Sequence, residues 1–191
     1  MTKKKQILKL AESAVMLGLA TALSMISLFQ LPMGGSVTVF SMLPIFIIAY
    51  RYGFGYGVGV GAVYGLIQMI LGMSSLSYAT NAWAVVCIIL FDYVVAFAVL
   101  SFGGIFRNLK CQPVGFALGM ALGCVGRFAC HFITGATVWS AYAEDMPVAL
   151  YSLVYNGSYM LPESLVTITV GVAVASLLDL KSESIRPLRR K

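Results

Sequence analysis

Long runs of apolar residues, broken by short clusters of glycine, proline and charge, dominate the chain. Read against the roughly 20 residues that an α-helix needs to cross a bilayer, they predict six helices. These run from about Ile7 to Phe29, Phe40 to Ala49, Gly53 to Leu71, Asn81 to Phe102, Pro113 to Ala136, and Leu150 to Leu180. The second is short and follows Leu31-Pro32-Met33-Gly34-Gly35, a stretch expected to dip into or fold over the membrane surface. The predicted fold class is an all-α integral membrane protein, one domain spanning residues 1–191.

Composition agrees with the pattern. Of 191 residues, 60% are apolar and only 10% charged, and the mean hydropathy is +0.90, values that place the chain in lipid and leave no room for an added soluble domain. A net charge of +6 would point to nucleic acid in a soluble protein, but here the basic residues flank apolar runs. With the N-terminus inside, Lys3, Lys4, Lys5, Lys9, Arg51, Arg107, Lys110, Lys181, Arg186, Arg189, Arg190 and Lys191 all fall on the cytoplasmic face, and the last outer loop carries Glu144 and Asp145. The positive-inside rule therefore puts both termini in the cytoplasm and makes the basic residues orientation signals, with no nucleic-acid partner. The first span is expected to stay attached instead of being cut as a signal peptide, because Glu12 interrupts the apolar run and the run continues to Phe29.

Two small-residue faces stand out. Gly53, Gly57, Gly61 and Gly65 recur every four residues and let a neighbouring backbone approach, whereas Gly55 and Gly59 make dinucleotide look-alikes with no strand before them. Ala14, Gly18 and Ala22 repeat on the first span, either for packing within the chain or for docking a partner's helix. Cys87, Cys111, Cys124 and Cys130 show no metal-ligand spacing and, with a single histidine, make no zinc set; they read as small packing residues.

The informative residues are the polar ones inside spans. An ionised side chain near mid-bilayer costs on the order of 3 kcal/mol, so Asp92, Arg127 and Glu163 each need a partner or a purpose. At 1.5 Å per residue, Arg127 and His131 lie about 21 and 27 Å above the inner start of their helix, on one face. Counting down from the outer ends puts Asp92 and Glu163 about 18 to 20 Å deep. A funnel open to the outside is implied, with Trp139, Tyr142 and Tyr151 at its mouth and Tyr155, Asn156 and Tyr159 below. The rings also suit an interfacial aromatic belt, and Asp92 or Glu163 would equally serve to neutralise Arg127. As a pocket, the set suits a flat, partly cationic heterocycle.

From Arg127 to Gly157 the chain resembles the thiamine-specific substrate-binding subunits of energy-coupling factor vitamin transporters. The resemblance rests on His131-Phe132-Ile133, Gly135, Trp139-Ser140, Tyr142-Ala143, Tyr151-Ser152-Leu153 and Asn156-Gly157, with Leu90-Phe91-Asp92-Tyr93-Val94-Val95-Ala96 upstream and Tyr64-Gly65 at the family's Trp-Gly position. It implies six helices around an outward-facing vitamin cavity in a bacterial plasma membrane. It also implies thiamine as the ligand, contacted by Asp92, His131, Trp139, Tyr151 and Asn156, with Tyr64, Tyr93 and Arg127 completing the candidate site. His131 and Trp139 would stack, and Asp92, Tyr151 and Asn156 would give polar contacts. Asp92 stands where the family usually has Glu, Gly34-Gly35-Ser36 where it has a loop tryptophan, and Glu163 where it has no acid, which suggests a private pair with Arg127.

The Ala14, Gly18, Ala22 face resembles the family's docking motif for a shared transmembrane coupling protein. No phosphate-binding loop is present, so ATP would enter only through two separate ATPase subunits, and the chain itself would need no cofactor. Alternatives are a subunit for a thiamine precursor or other vitamin, and a stand-alone secondary transporter, although no paired repeats are visible. An intramembrane serine protease lacks its Gly-x-Ser-Gly signature; Ser158 merely follows Gly157.

Overall fold

A computed structural model of the chain describes residues 2–31, 35–182 and 186–188. Six helices carry the fold: α1 (Lys3–Ser24), α2 (Leu43–Tyr52), α3 (Phe54–Leu71), α4 (Ala82–Gly104), α5 (Gln112–Thr137) and α6 (Val148–Leu177). All but α2 are long and apolar enough to cross a membrane.

The first apolar run does not remain helical to Phe29. The helix stops at Ser24, and the next residues form an antiparallel hairpin, β1 (Ser27–Gln30) with β2 (Ser36–Thr38), Phe29 opposite Val37. Hydropathy cannot separate these outcomes, because Ile26, Leu28 and Phe29 suit either backbone. Of the stretch expected to fold over the membrane surface, Pro32, Met33 and Gly34 lie outside the described residues, and what flanks them is this hairpin.

At ten residues, α2 spans only about 15 Å, half a hydrocarbon core. Leu43 through Arg51 are all buried, so protein, not lipid, surrounds it. Its end is fixed by Gly53, whose φ of 92° is a conformation that side chains disfavour and which lets α3 begin one residue later.

The glycine face of α3 does what its spacing predicts. A Cβ on Gly57 would sit 2.7 Å from that of Ala49, one on Gly65 would sit 2.6 Å from the Tyr93 carbonyl oxygen, and one on Gly61 would overlap the Phe97 carbonyl. Gly55 and Gly59 meet nothing within 4 Å. The three contacts press α3 against α2 and α4. Along α4 the backbone opens into a π-helix over Ile88–Val95, the segment that carries Asp92 and Tyr93.

One side of the bundle is pinned by buried polar bonds. The Arg51 guanidinium donates from Nε and Nη2 to Glu12 at 2.9 and 3.0 Å and from Nη1 to the Leu180 carbonyl at 3.0 Å, and the Tyr52 hydroxyl donates to Glu12 at 2.6 Å. Gln112 donates to the carbonyls of Ala175 and Leu178 at 2.8 and 2.7 Å and accepts from the Leu180 amide at 3.1 Å, capping the open end of α6. The start of α1, the ends of α2 and α6 and the start of α5 thus share one side, the one on which the basic residues gather. Cys124 and Cys130 are buried packing residues, but Cys111 is exposed in the α4–α5 turn.

Ala14, Gly18 and Ala22 are exposed, and a Cβ on Gly18 would meet nothing within 4 Å. Packing within the chain is therefore not the use of this face. The opposite side of α1, through Ser13 and Ala20, makes the internal contacts.

Candidate functional site

On the side opposite the termini, the ends of α1, α3, α4, α5 and α6, together with the hairpin, enclose a cavity of about 460 Å³. Asp92, Tyr93, Arg127, His131, Trp139, Tyr151 and Asn156 all line it. Tyr64 does not. Its ring is fully buried in the core, edge-on to Phe97 at 4.9 Å, and its hydroxyl donates to the Ala20 carbonyl at 3.2 Å. The place in the ligand site that the resemblance implied for Tyr64 is corrected on this ground: the aromatic at that position ties α3 to α1 beneath the cavity.

Asp92 is placed by the π-helical turn of α4 and is taken up by neighbours. Its Oδ1 accepts from Thr134 Oγ1 and faces Nδ1 of His131 at 3.1 Å, and its Oδ2 accepts from Nε1 of Trp139 at 3.2 Å. The other ring nitrogen of His131, Nε2, is buried and has no hydrogen-bond partner among the described residues. Thr134 was not anticipated; it lies three residues after His131 and so had to share its face.

Asn156 is likewise engaged. Its Nδ2 donates to the carbonyls of His131 (3.1 Å) and Ser152 (3.0 Å), and its Oδ1 accepts from the Tyr159 hydroxyl at 2.9 Å. The amide fastens α6 to α5 behind the histidine. Gly135 makes this possible, because a Cβ there would meet Nδ2 of Asn156 at 2.9 Å and overlap Ser152.

Aromatic rings form two walls. Trp139 sits with Tyr78 and Tyr142 at centroid distances of 6.0 and 5.9 Å. Tyr151 stacks on Tyr155 at 5.8 Å, and Tyr155 meets Tyr159 edge-on at 5.9 Å. The hairpin closes over the second wall: the Gly35 amide donates to the Tyr155 hydroxyl at 3.4 Å, and a Cβ on Gly35 would lie 2.8 Å from the Tyr159 ring. Where the resembling family carries a loop tryptophan, this chain brings backbone onto a tyrosine instead. Tyr93 is turned to the other rim, its hydroxyl donating to the Gly72 carbonyl at 3.0 Å and bonded to Ser75 at 2.7 Å. Gln68, also on the wall, donates to Ser24 at 2.9 Å. It escaped the sequence reading although it is an amide inside a span.

At the floor, Arg127 pairs with Glu163 at 3.1 Å, both buried, and lies 4.7 Å from the Phe97 ring. Glu163 also accepts from Thr38 at the end of the hairpin. The pair that the sequence left open is thus formed, and Asp92 pairs with His131 and not with the arginine. Formal charges on the floor and wall are Arg127 +1, Glu163 −1 and Asp92 −1, a sum of −1 with a neutral imidazole.

Comparison with known proteins agrees with this architecture. The family described as thiamine transporter protein matches residues 10–182. The thiamine transporter ThiT of Bacillus subtilis is 31% identical over 179 residues, covering 87% of this chain and 89% of its own. ThiT of Lacticaseibacillus paracasei is 27% identical over 186 residues, covering 89% and 88%. A solved structure of ThiT from Listeria monocytogenes superposes with a TM-score of 0.74 at 25% identity, over 90% of this chain and 94% of that one. Matched along nearly all of its length in both sequence and fold, the chain belongs to the thiamine transporter protein family and is a multi-pass bacterial membrane protein, not an enzyme.

Proposed function

We propose that the chain binds thiamine in the outward cavity and serves as the substrate-capture subunit of an energy-coupling factor importer. The observation that carries the ligand assignment is the composition of the cavity: two aromatic walls, a carboxylate and an imidazole side by side in the wall, and a formal charge of −1. Thiamine joins an aminopyrimidine, which needs directed hydrogen bonds, to a permanently positive thiazolium, which suits aromatic faces and a net negative surround. The cavity volume lies in the roughly 300–1,000 Å³ range usual for small-molecule sites.

Capture without turnover follows from what the chain carries. It has no phosphate-binding loop, so energy would come from two ATPase subunits acting through a transmembrane coupling protein. The exposed face of Ala14, Gly18 and Ala22 supports docking, since small residues let a partner helix approach its backbone closely.

The test is a thiamine titration of the purified chain followed by tryptophan fluorescence. Trp83 is exposed on the outer surface, so a Trp83→Phe background leaves Trp139 as the reporter. Saturable quenching at micromolar thiamine is expected, and its absence would overturn the assignment. His131→Ala and Asn156→Ala should each weaken binding by at least about 1 kcal/mol, because each leaves buried polar groups unpaired.

A further inference from the structure

A second cavity, of about 420 Å³, opens on the cytoplasmic side, where the start of α1, the end of α2 and the segment after α6 meet. The capture of a vitamin from outside makes no use of it. Its walls carry Lys4 and Lys5 from the first turn of α1, Arg51 and Tyr52 from α2, and Lys181. We infer that this cavity binds the phosphate headgroup of an anionic phospholipid of the inner leaflet, with Lys4, Lys5 and Lys181 as its cations and an acyl chain laid along α1.

The charge around the cavity favours an anion. Lys4, Lys5, Arg51 and Lys181 give +4, and Glu12, bonded to Arg51 at 2.9 Å, reduces the sum to +3. Glu183, two residues beyond Lys181, lowers it to +2 when counted in full, and Asp179 is offset by Arg186 at 3.7 Å. Lys181 is held in place: its Nζ donates to the Leu109 carbonyl at 3.3 Å and stands 5.7 Å from the Tyr50 ring, which leaves two of its three hydrogens for a guest. The start of α1 adds a partial positive charge. Thr2 lines the cavity at the N-cap and makes no side-chain bond to the first turn, where no acidic residue stands. The leading amides of the helix therefore remain without a side-chain cap, a state that a phosphate oxygen relieves.

What favours a lipid over a free phosphate is the surface that continues from the cavity. Leu8 lines it, and Val15 and Leu19, seven and eleven residues on, share the same face of α1. All three are exposed, by 47%, 69% and 46%. This apolar stripe runs about 16 Å along the helix, away from the lysines and into the hydrocarbon, and gives an acyl chain its bed. Because α1 is long and apolar enough to span from Lys3 onward, its first turn lies at headgroup depth. Basic pockets between helices on this side of a membrane recognise anionic headgroups, whereas a choline headgroup would bring its own fixed cation against the lysines.

The test is native mass spectrometry of the full chain released from mixed micelles that hold equimolar phosphatidylglycerol and phosphatidylcholine. Phosphatidylglycerol should be retained in preference by about tenfold or more. Lys4→Ala and Lys181→Ala should each reduce that preference by about threefold to fivefold, the scale of one lysine beside an anionic lipid, and Lys181→Arg should keep it. Lys3→Ala and Lys110→Ala remove the same charge from the same side of the membrane but outside the cavity lining, and should leave the preference unchanged. Equal retention of the two lipids by the native chain would overturn the inference. So would equal losses in all four alanine variants, which would show only diffuse attraction to a basic face. Inorganic phosphate, added at constant ionic strength, should not displace the lipid; displacement would make a soluble anion the occupant and overturn the lipid assignment. These readouts stand apart from whether thiamine binds.

Discussion

Glu163 does not itself line the cavity, yet the charge arithmetic makes it a determinant of affinity through its pair with Arg127. Glu163→Gln keeps the shape and the hydrogen bond from Thr38 but removes the charge that offsets Arg127. The cavity sum then moves from −1 to zero. A roughly spherical space of 460 Å³ is about 9–10 Å across, and Glu163 lies a further 3.1 Å beyond the guanidinium. At about 12 Å and an effective dielectric constant of about 20, the lost attraction for a ligand cation is about 1.4 kcal/mol, or roughly tenfold in Kd. The assay is a pair of isotherms, one with thiamine and one with its uncharged hydroxymethylpyrimidine half. Thiamine should weaken about tenfold and the neutral half by less than about twofold. The substitution also strands a buried guanidinium, at a cost of about 3–5 kcal/mol in stability, so thermal unfolding in detergent is measured alongside. Arg127→Met combined with Glu163→Gln removes both charges, returns the sum to −1, and should recover most of the thiamine affinity and stability. Equal weakening of the charged and neutral ligands, or a double variant no better than the single one, would refute the electrostatic reasoning.

Other outcomes follow from the packing. Gly61→Val, whose side chain would collide with the Phe97 carbonyl, should lower stability by at least about 2 kcal/mol, while Gly59→Val, which faces open space, should be close to neutral; detergent thermal midpoints distinguish them. Gln112→Leu strands two buried carbonyls and one amide at the end of α6 and should cost about 2–4 kcal/mol by the same measurement, with thiamine affinity little changed because the cavity lies at the other end. Gly18→Leu fills no internal space, so it should spare binding to the purified chain and abolish uptake in cells; a variant that still transports would refute the docking face.

Much of the fold was legible because the bilayer permits few solutions: apolar runs had to be helices, and the four-residue glycine period had to be a close contact. The hairpin was not legible, since Ser27–Gln30 continues an apolar run and only the pairing of Phe29 with Val37 reveals a strand. The wall of the cavity could be read from the polar residues inside spans, which lipid tolerates only for a reason. Their partners could not be, because pairing depends on helix rotation. Depth alone made Asp92 and Glu163 equal candidates for Arg127, and the bundle gives Arg127 to Glu163 and His131 to Asp92. Tyr64 shows the converse limit. An aromatic in a span reads the same whether it faces a ligand or the core, and its bond to the Ala20 carbonyl settles it in the core.

The widened turn at Ile88–Val95 has an evolutionary consequence. A π-helical turn holds one residue more than the α-helical turn it replaces, so the two ends of α4 are offset by about 100° in phase. The cytoplasmic end can keep its fit against the glycines of α3 while the acidic side chain is aimed independently. Loss of any single residue within the turn would restore regular winding and swing the carboxylate out of the wall, whereas point substitutions there leave the phase intact. In this helix, descendants should tolerate changes of letter far better than changes of length.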